Sequence, residues 1–173
     1  ARVRLKVGNT TDVVEDVAAM DVDFGLIEGT CHHPDLLVHN WRIDQLVVIA
    51  PPGHPFASRR PSHAELAAAP WLLREAGSGT REEVERSLLA RIGELNVDIE
   101  LGDSEAIWRA VAAGLGLSCL SRSIVAVPLA AGQLVEITIG AAPMERWLRV
   151  VRHRSKPTMR GMQAFLAACT TLT

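Results

Sequence analysis

Strand and helix signals alternate through the middle of the chain, and this order constrains the fold more than any other feature of the sequence. Four short segments with strand signals recur there, namely Leu46–Ile49, Trp71–Leu73, Val97–Leu101 and Leu117–Leu120. Segments with helical spacing of apolar residues lie between most of them. Strands that alternate with helices are typical of βαβ units and a parallel sheet. We therefore predict a β-α-β-α-β unit from about residue 47 to residue 122.

The helices of this unit carry start and stop signals. Ser62 and Glu65 have the three-residue spacing of a capping box, and a short Ala-rich segment follows them. Thr80 and Glu83 have the same spacing at the start of the next helix, and Gly93 is expected to end that helix. We predict a capping box at both starts.

A smaller unit of the same kind is predicted at the start of the chain. Val3, Leu5 and Val7 alternate with basic residues, which is the pattern of a strand with one solvent-exposed face. Apolar spacing then predicts a helix over about residues 12–20, and the run from residue 23 to residue 27 is interpreted as a buried strand.

The rest of the chain leads to a prediction of two lobes. A long extended segment spans residues 36–50, and the tail contains two further strand-like runs and a last helix that starts at Pro157. The opening unit has too few strands to stand alone, so we expect the tail to join it. The predicted lobes are residues 1–46 plus 123–173 and residues 47–122, with a ligand cleft between them.

Composition excludes several classes of protein. The net charge is −2 and no basic run is longer than Arg59-Arg60, so the chain alone is not expected to hold DNA. The three cysteines, Cys31, Cys119 and Cys169, are far apart, which favours a reduced cytoplasmic protein over a disulfide scaffold. No apolar run approaches the ~20 residues of a membrane span. The chain does not begin with Met, and we interpret it as part of a larger protein.

Two turns have the features of anion sites. In the segment from Gly77 to Glu83, glycines allow close approach of a ligand, and Ser78 and Thr80 add hydroxyl donors beside the free N–H groups of a helix start. The segment from Gly8 to Asp12 has the same organisation with Asn and Thr. Each could equally be a well-capped helix that binds nothing. If two lobes face each other, both helix starts can point into one cleft.

Catalytic and metal sites are not supported. The Gly77–Thr80 turn lacks the Gly-Lys-Ser/Thr of a phosphate-binding loop, and no Gly-x-Ser-x-Gly elbow is present. His32 and His33 are adjacent and on an extended chain would point to opposite sides, which disfavours one shared metal ion. We predict no enzyme activity, no cofactor and no metal.

Three arginines were considered as carboxylate-binding groups, and each is interpreted as a solvated surface residue instead. They are Arg81, Arg122 and Arg146.

The order of motifs resembles the effector-binding domain of LysR-type transcription regulators, especially those of carbon fixation and sulfur assimilation. The matching stretches cover nearly all of the chain: Gly8–Thr11, Asp23–Gly29, Asp44–Ile49, His54–Ala57, Leu73–Arg81, Val111–Leu117 and Leu120–Arg122. No single stretch is diagnostic, but the set is specific.

The resemblance implies an α/β, type 2 periplasmic-binding-protein-like fold, with two mixed sheets flanked by helices and joined by two crossover strands. It implies a small effector, often an anion or organic acid, held between two lobes. It also implies a dimer or tetramer, DNA binding through an N-terminal winged helix that this chain does not contain, and no membrane partner.

Effector contacts carried over by matching position are Asn9, Thr10, Thr11, Ser78, Gly79 and Thr80. The first strand and helix of the first lobe have no counterpart in this sequence, so we expect only part of the effector site here. Two alternatives stay open at this point: a solute-binding protein of a transport system with the same fold, and an enzyme using Cys31 or the neighbouring histidines.

Overall fold

One long strand organises the molecule. The computed structural model describes residues 3–140, 142–157 and 160–170. In it β2 spans Leu36–Ala50 without a break, as the long extended segment in the sequence predicts. The two prolines and the glycine that follow end the strand, because proline cannot continue a hydrogen-bonded ladder.

The described residues also form six further strands and seven α-helices. The strands are β1 (Gly25–Ile27), β3 (Pro70–Arg74), β4 (Asn96–Leu101), β5 (Ser118–Ser121), β6 (Val135–Ile137) and β7 (Met144–His153). The helices are α1 (Thr10–Ala18), α2 (His63–Ala68), α3 (Gly79–Glu83), α4 (Ala90–Ile92), α5 (Ser104–Ala112), α6 (Arg122–Ala130) and α7 (Arg160–Thr170). A π-helical segment, Val84–Leu89, joins α3 to α4 without a break, so residues 79–92 form one helix.

The strands form two sheets around β2. A five-stranded antiparallel sheet has the order β1-β7-β2-β5, and β6 pairs with the end of β2. The first part of β2 pairs with β7, from Leu36 opposite His153 to Leu46 opposite Met144. The last part of β2 pairs with β5 and β6. β3 and β4 form a parallel pair, as predicted for the middle of the chain, and a parallel bridge from Trp71 to Leu117 connects β3 to the chain entering β5.

The opening βαβ unit predicted from the sequence is wrong. Residues 3–9 belong to no strand, and Val3, Leu5 and Val7 are 65%, 80% and 84% exposed. A strand needs a neighbour for its backbone N–H and C=O groups, and the described residues provide none for this segment. β1 instead pairs antiparallel with β7.

Helix α6 was not predicted. It runs from Arg122 to Ala130 and contains Pro128 near its end. A proline inside a helix removes one backbone donor, and the Val-rich sequence around it is a weak helix former. Burial of Val125 and Pro128 against the neighbouring elements stabilises α6 despite this sequence.

Alternation along the end of β2 creates two hydrophobic cores. Leu46, Val48 and Ala50 face a core that includes Trp71. Val47 and Ile49 face the other side, where α5 and α6 pack. A third, smaller core lies under α1 and contains four buried residues: Val17, Ile27, Leu36 and Val151.

The segment after residue 122 packs with the two larger cores. Val125 and Leu134 belong to the core under α5 and α6, and Ile137 of β6 belongs to the core that contains Trp71. Residues between 123 and 137 therefore contribute to both larger cores.

Among the described residues, no helix has both the length and the apolar character needed to cross a membrane.

Trp71 tests the core that is built on β3. Its side chain is fully buried and its indole Nε1 donates to the Leu66 carbonyl at 2.7 Å. Trp71→Phe should lower the free energy of unfolding by about 1–3 kcal/mol, since it leaves a buried carbonyl unpaired. Urea unfolding measures this. Trp147→Phe is the matched control: Trp147 is 40% exposed, and its variant should lie within about 0.5 kcal/mol of the parent. An equal loss of unfolding free energy in both variants would contradict the placement of Trp71 in the core.

Candidate functional site

The start of α1 is built by a reciprocal cap. The Asn9 side chain accepts a hydrogen bond from the Asp12 backbone N–H at 3.0 Å, and the Asp12 carboxylate accepts one from the Asn9 N–H at 3.2 Å. Two of the free donors of the helix start are satisfied in this way. The N–H of Thr11 is directed away from its own helix, to the carbonyl of Gly77 at 3.3 Å.

The start of the 79–92 helix is capped by Ser78, whose Oγ accepts from the Arg81 N–H at 3.5 Å. The predicted capping box of Thr80 and Glu83 is wrong. Glu83 is buried and its carboxylate accepts hydrogen bonds from Arg86 and Ser87, one turn further along the helix. The spacing was right for a box, but the true cap lies two residues earlier than predicted.

The two helix starts lie against each other. Besides the bond from Thr11 to Gly77, the Gly29 N–H donates to Thr10 Oγ1 at 3.3 Å. Gly77 has a φ of +86°, and a Cβ there would lie 2.9 Å from Thr11 Oγ1. A Cβ on Gly79 would overlap the backbone at Gly29. Glycine at these two positions allows the close approach.

The six predicted effector contacts are brought together by this approach. Three belong to the start of α1: Asn9 and Thr10 are half-buried, and Thr11 is exposed. The other three, Ser78, Gly79 and Thr80, are buried at the start of the 79–92 helix. They form one cluster with the Glu28–Gly29 turn.

A buried ion pair that the sequence pattern does not indicate adjoins the cluster. Arg146 was interpreted as a surface residue, but it is only 4% exposed. Its guanidinium lies 2.9 Å (Nε) and 2.8 Å (Nη2) from Asp44 Oδ2. Asp44 and Arg146 face each other in register on β2 and β7. The Ser121 hydroxyl donates to the second Asp44 oxygen at 2.7 Å.

Thr80 connects the ion pair to the helix start. Arg146 Nη1 donates to Thr80 Oγ1 at 2.9 Å, and Thr80 in turn donates to the Glu28 carboxylate at 2.8 Å. Arg146 Nη1 is also 3.3 Å from Glu28. Arg146 Nη2 is buried against Asp44 and has no aligned hydrogen-bond acceptor among the described residues.

Acidic groups also border the cluster. Hydrogen bonds from Arg74 lower the pKa of Glu75, partial burial opposes this, and a hydrogen bond from the Asn9 side chain adds to the lowering. Glu82 accepts from the backbone and the hydroxyl of Thr30 at 3.0 and 2.5 Å. Carboxylates of the protein itself therefore lie beside the helix starts in this arrangement.

The other two arginines considered from the sequence are partly buried. Arg81 pairs with Glu85 at 2.6 Å and donates to the Arg74 carbonyl at 3.1 Å. Arg122 pairs with Glu136 at 2.6 Å and is 42% exposed at its side chain. Among the described residues, neither side chain donates to one of the six cluster residues, whereas Arg146 donates to Thr80.

Comparison with known families identifies the chain. A family model described as "LysR substrate binding domain" matches residues 1–173. The chain belongs to the LysR substrate-binding domain family.

Relatives of known sequence are LysR-type regulators of greater length. The chain is 43% identical over 167 residues to the uncharacterized HTH-type transcriptional regulator YeiE of Escherichia coli strain K12, covering 96% of this chain and 57% of that protein. It is 29% identical over 161 residues to the HTH-type transcriptional regulator CysL of Bacillus subtilis strain 168, covering 92% and 54%. The chain thus spans little more than half the length of these relatives.

Solved LysR-type structures confirm the predicted fold class. The regulatory domain of CcmR from Synechocystis PCC6803, in complex with 2-PG, matches with a TM-score of 0.86 and 31% identity, over 99% of this chain and 83% of that one. The effector-binding domain of QuiR in complex with shikimate matches with a TM-score of 0.80 at 18% identity, over 95% and 80%. The second likeness is one of fold alone.

The buried ion pair gives a direct test of the network. Arg146→Met leaves Asp44 buried without its partner, which should cost about 3–5 kcal/mol of unfolding free energy. Urea unfolding measures this, and Arg122→Met is the control: its half-exposed pair should cost less than about 1 kcal/mol.

A compensating variant separates charge from packing. Asp44→Leu combined with Arg146→Met removes both charges and should recover much of the lost stability. A double variant as unstable as Arg146→Met alone would show that the arginine acts through packing rather than through its charge.

Proposed function

We propose that this domain senses a small anionic metabolite and that the metabolite binds where the starts of α1 and the 79–92 helix meet. The observation that carries the proposal is the direct contact of the two starts, through the Thr11 to Gly77 bond, beside the buried Arg146 cation. Helix starts favour anions because their N–H groups and dipoles point at the ligand. The proposed contacts are the six residues of the cluster: Asn9, Thr10, Thr11, Ser78, Gly79 and Thr80.

The proposal includes a division into two lobes. The first comprises residues 1–46 with the tail from β7 onward, and the second comprises residues 47–143, because α6 and β6 pack on the larger cores. β2 and the segment between β6 and β7 connect them. The sequence-predicted boundary at residue 123 is moved in this proposal to about residue 143.

Ligand binding would act on the contact between the helix starts. In the arrangement observed, Thr10 Oγ1 accepts a hydrogen bond from the Gly29 N–H, and the Thr11 N–H donates to the Gly77 carbonyl. The Thr80 hydroxyl donates to the Glu28 carboxylate. An incoming anion competes with these internal contacts. It can shift the arrangement only by its difference in affinity between the closed and the opened states.

The parent protein is proposed to be a transcription regulator of the cytoplasm. Its curated relatives are named HTH-type regulators and are longer than this chain. We propose that DNA is bound by a helix-turn-helix outside this chain, and that the protein works as a dimer or tetramer in which effector binding changes the spacing of the DNA-binding parts.

Thermal-shift screening of the full-length protein tests the proposed ligand class. Organic acids are compared with their neutral amides, and the acids are expected to raise Tm while the amides do not. Amides that stabilise the protein as well as the acids would overturn the anion part of the proposal.

The site residues are tested on the best acid by calorimetry. Thr11→Val with Ser78→Ala should raise its Kd by about tenfold or more, because hydrogen bonds to a charged group are lost. Ser62→Ala is the control, since Ser62 also caps a helix by accepting from the third residue but lies on α2. An unchanged Kd in the double variant would refute the site assignment.

A further inference from the structure

A groove lies on the second lobe, away from the helix starts. It has a volume of about 460 Å³, within the range of small-molecule sites. Apolar side chains form most of its lining: Pro61, Leu66, Ile92 and Ile139, with Ala142 at one edge. Three residues with basic side chains, Arg60, His63 and Arg91, complete it, and no carboxylate lines it.

The two arginines of the groove converge on one point. A Cβ placed on Gly140 would lie 3.5 Å from Arg91 Nη1 and 3.8 Å from Arg60 Nη2. Arg60 comes from the turn before α2 and Arg91 from α4, so two separate segments bring the like charges together. Two like charges near one point repel each other, and an anion between them would remove that repulsion.

No acidic side chain of the protein neutralises this pair. Every Asp and Glu of the chain is among the described residues, and no ion pair joins any of them to Arg60 or Arg91 in that part of the chain. Arg91 donates to a neutral acceptor, the Ala142 carbonyl, at 3.1 Å. The neighbouring Arg59 differs, because Glu65 pairs with it at 2.6 Å.

The cavity next to the groove has one carboxylate among its described lining residues. This second cavity, of about 240 Å³, shares Arg91, Ile139, Gly140 and Ala142 with the groove and contains Glu136. The Glu136 carboxylate is already held by Arg122 at 2.6 and 2.8 Å.

We propose that this groove is a second ligand site, which takes a small organic carboxylate with an apolar body. The carboxylate would lie between Arg60 and Arg91, where it removes the repulsion and can accept paired N–H donors. The apolar body would cover Leu66, Ile92 and Ile139. The site is separate from the cluster at the helix starts and does not depend on the effector proposed for that cluster.

Titration of the protein with benzoate and hexanoate, followed in amide correlation spectra, tests the site. Saturable shifts are expected at Leu66, Ile92 and Ile139 for at least one of these acids. Benzamide, with the same ring and no charge, should bind at least about tenfold more weakly. Inorganic phosphate, which can meet the two arginines but has no apolar body, should bind more weakly than the better acid, and phosphate binding as tight as both acids would contradict the apolar part of the proposal. Absence of saturable shifts with both acids, or equal binding of benzoate and benzamide, would overturn the proposal.

Variants connect the binding to the residues. Arg60→Gln with Arg91→Gln should weaken carboxylate binding by at least about tenfold, and Ala142→Phe should block the groove from its exposed edge. Arg109→Gln, on the far side of α5, is the charge control and should leave binding unchanged. The Thr11→Val, Ser78→Ala variant should also leave it unchanged, which separates this site from the effector cluster. Unaltered binding in the double arginine variant would overturn the proposal.

Discussion

The buried ion pair between β2 and β7 connects the candidate site to the sheet. Asp44 and Arg146 are 6% and 4% exposed, and charges so deeply buried are tolerated only when paired and hydrogen-bonded. Their pairing requires one register of the two longest strands, and Arg146 then reaches Thr80 at the start of the 79–92 helix. The position of that helix start therefore depends on the sheet, and a change in how β2 meets β7 would be transmitted to the cluster.

Local signals in the sequence predicted most elements, because their causes are local. The Ser62 capping box, the proline stop after β2 and the Gly93 end of the 79–92 helix each involve residues a few positions apart. Residues 3–9 and α6 were missed for the opposite reason. Alternation at Val3–Val7 describes a strand only where a neighbour pairs with it, and α6 depends on burial of Val125 that its own sequence does not reveal.

The same distinction applies to the candidate site. The two helix starts could be found from the sequence, since caps and glycines lie side by side in it. The Asp44–Arg146 pair could not, because the partners are 102 residues apart and the register of β7 on β2 is a long-range property. One sign of its burial is its position: Arg146 lies two residues after buried Met144 and therefore on the same face of β7.

The two basic environments differ in what a ligand must displace. At the helix starts the Thr11 N–H already donates to Gly77 and the Thr80 hydroxyl to Glu28, so the proposed anion gains only what exceeds these contacts, and its binding is linked to a rearrangement. In the groove, Arg60 and Arg91 approach the same point beside Gly140, and the Ala142 carbonyl is the acceptor that Arg91 has among the described residues. A carboxylate there would remove the repulsion between Arg60 and Arg91 without moving the start of α1 away from the 79–92 helix. Binding at the helix starts can therefore carry a conformational signal, whereas the groove is suited to binding that leaves the arrangement of the helix starts unchanged.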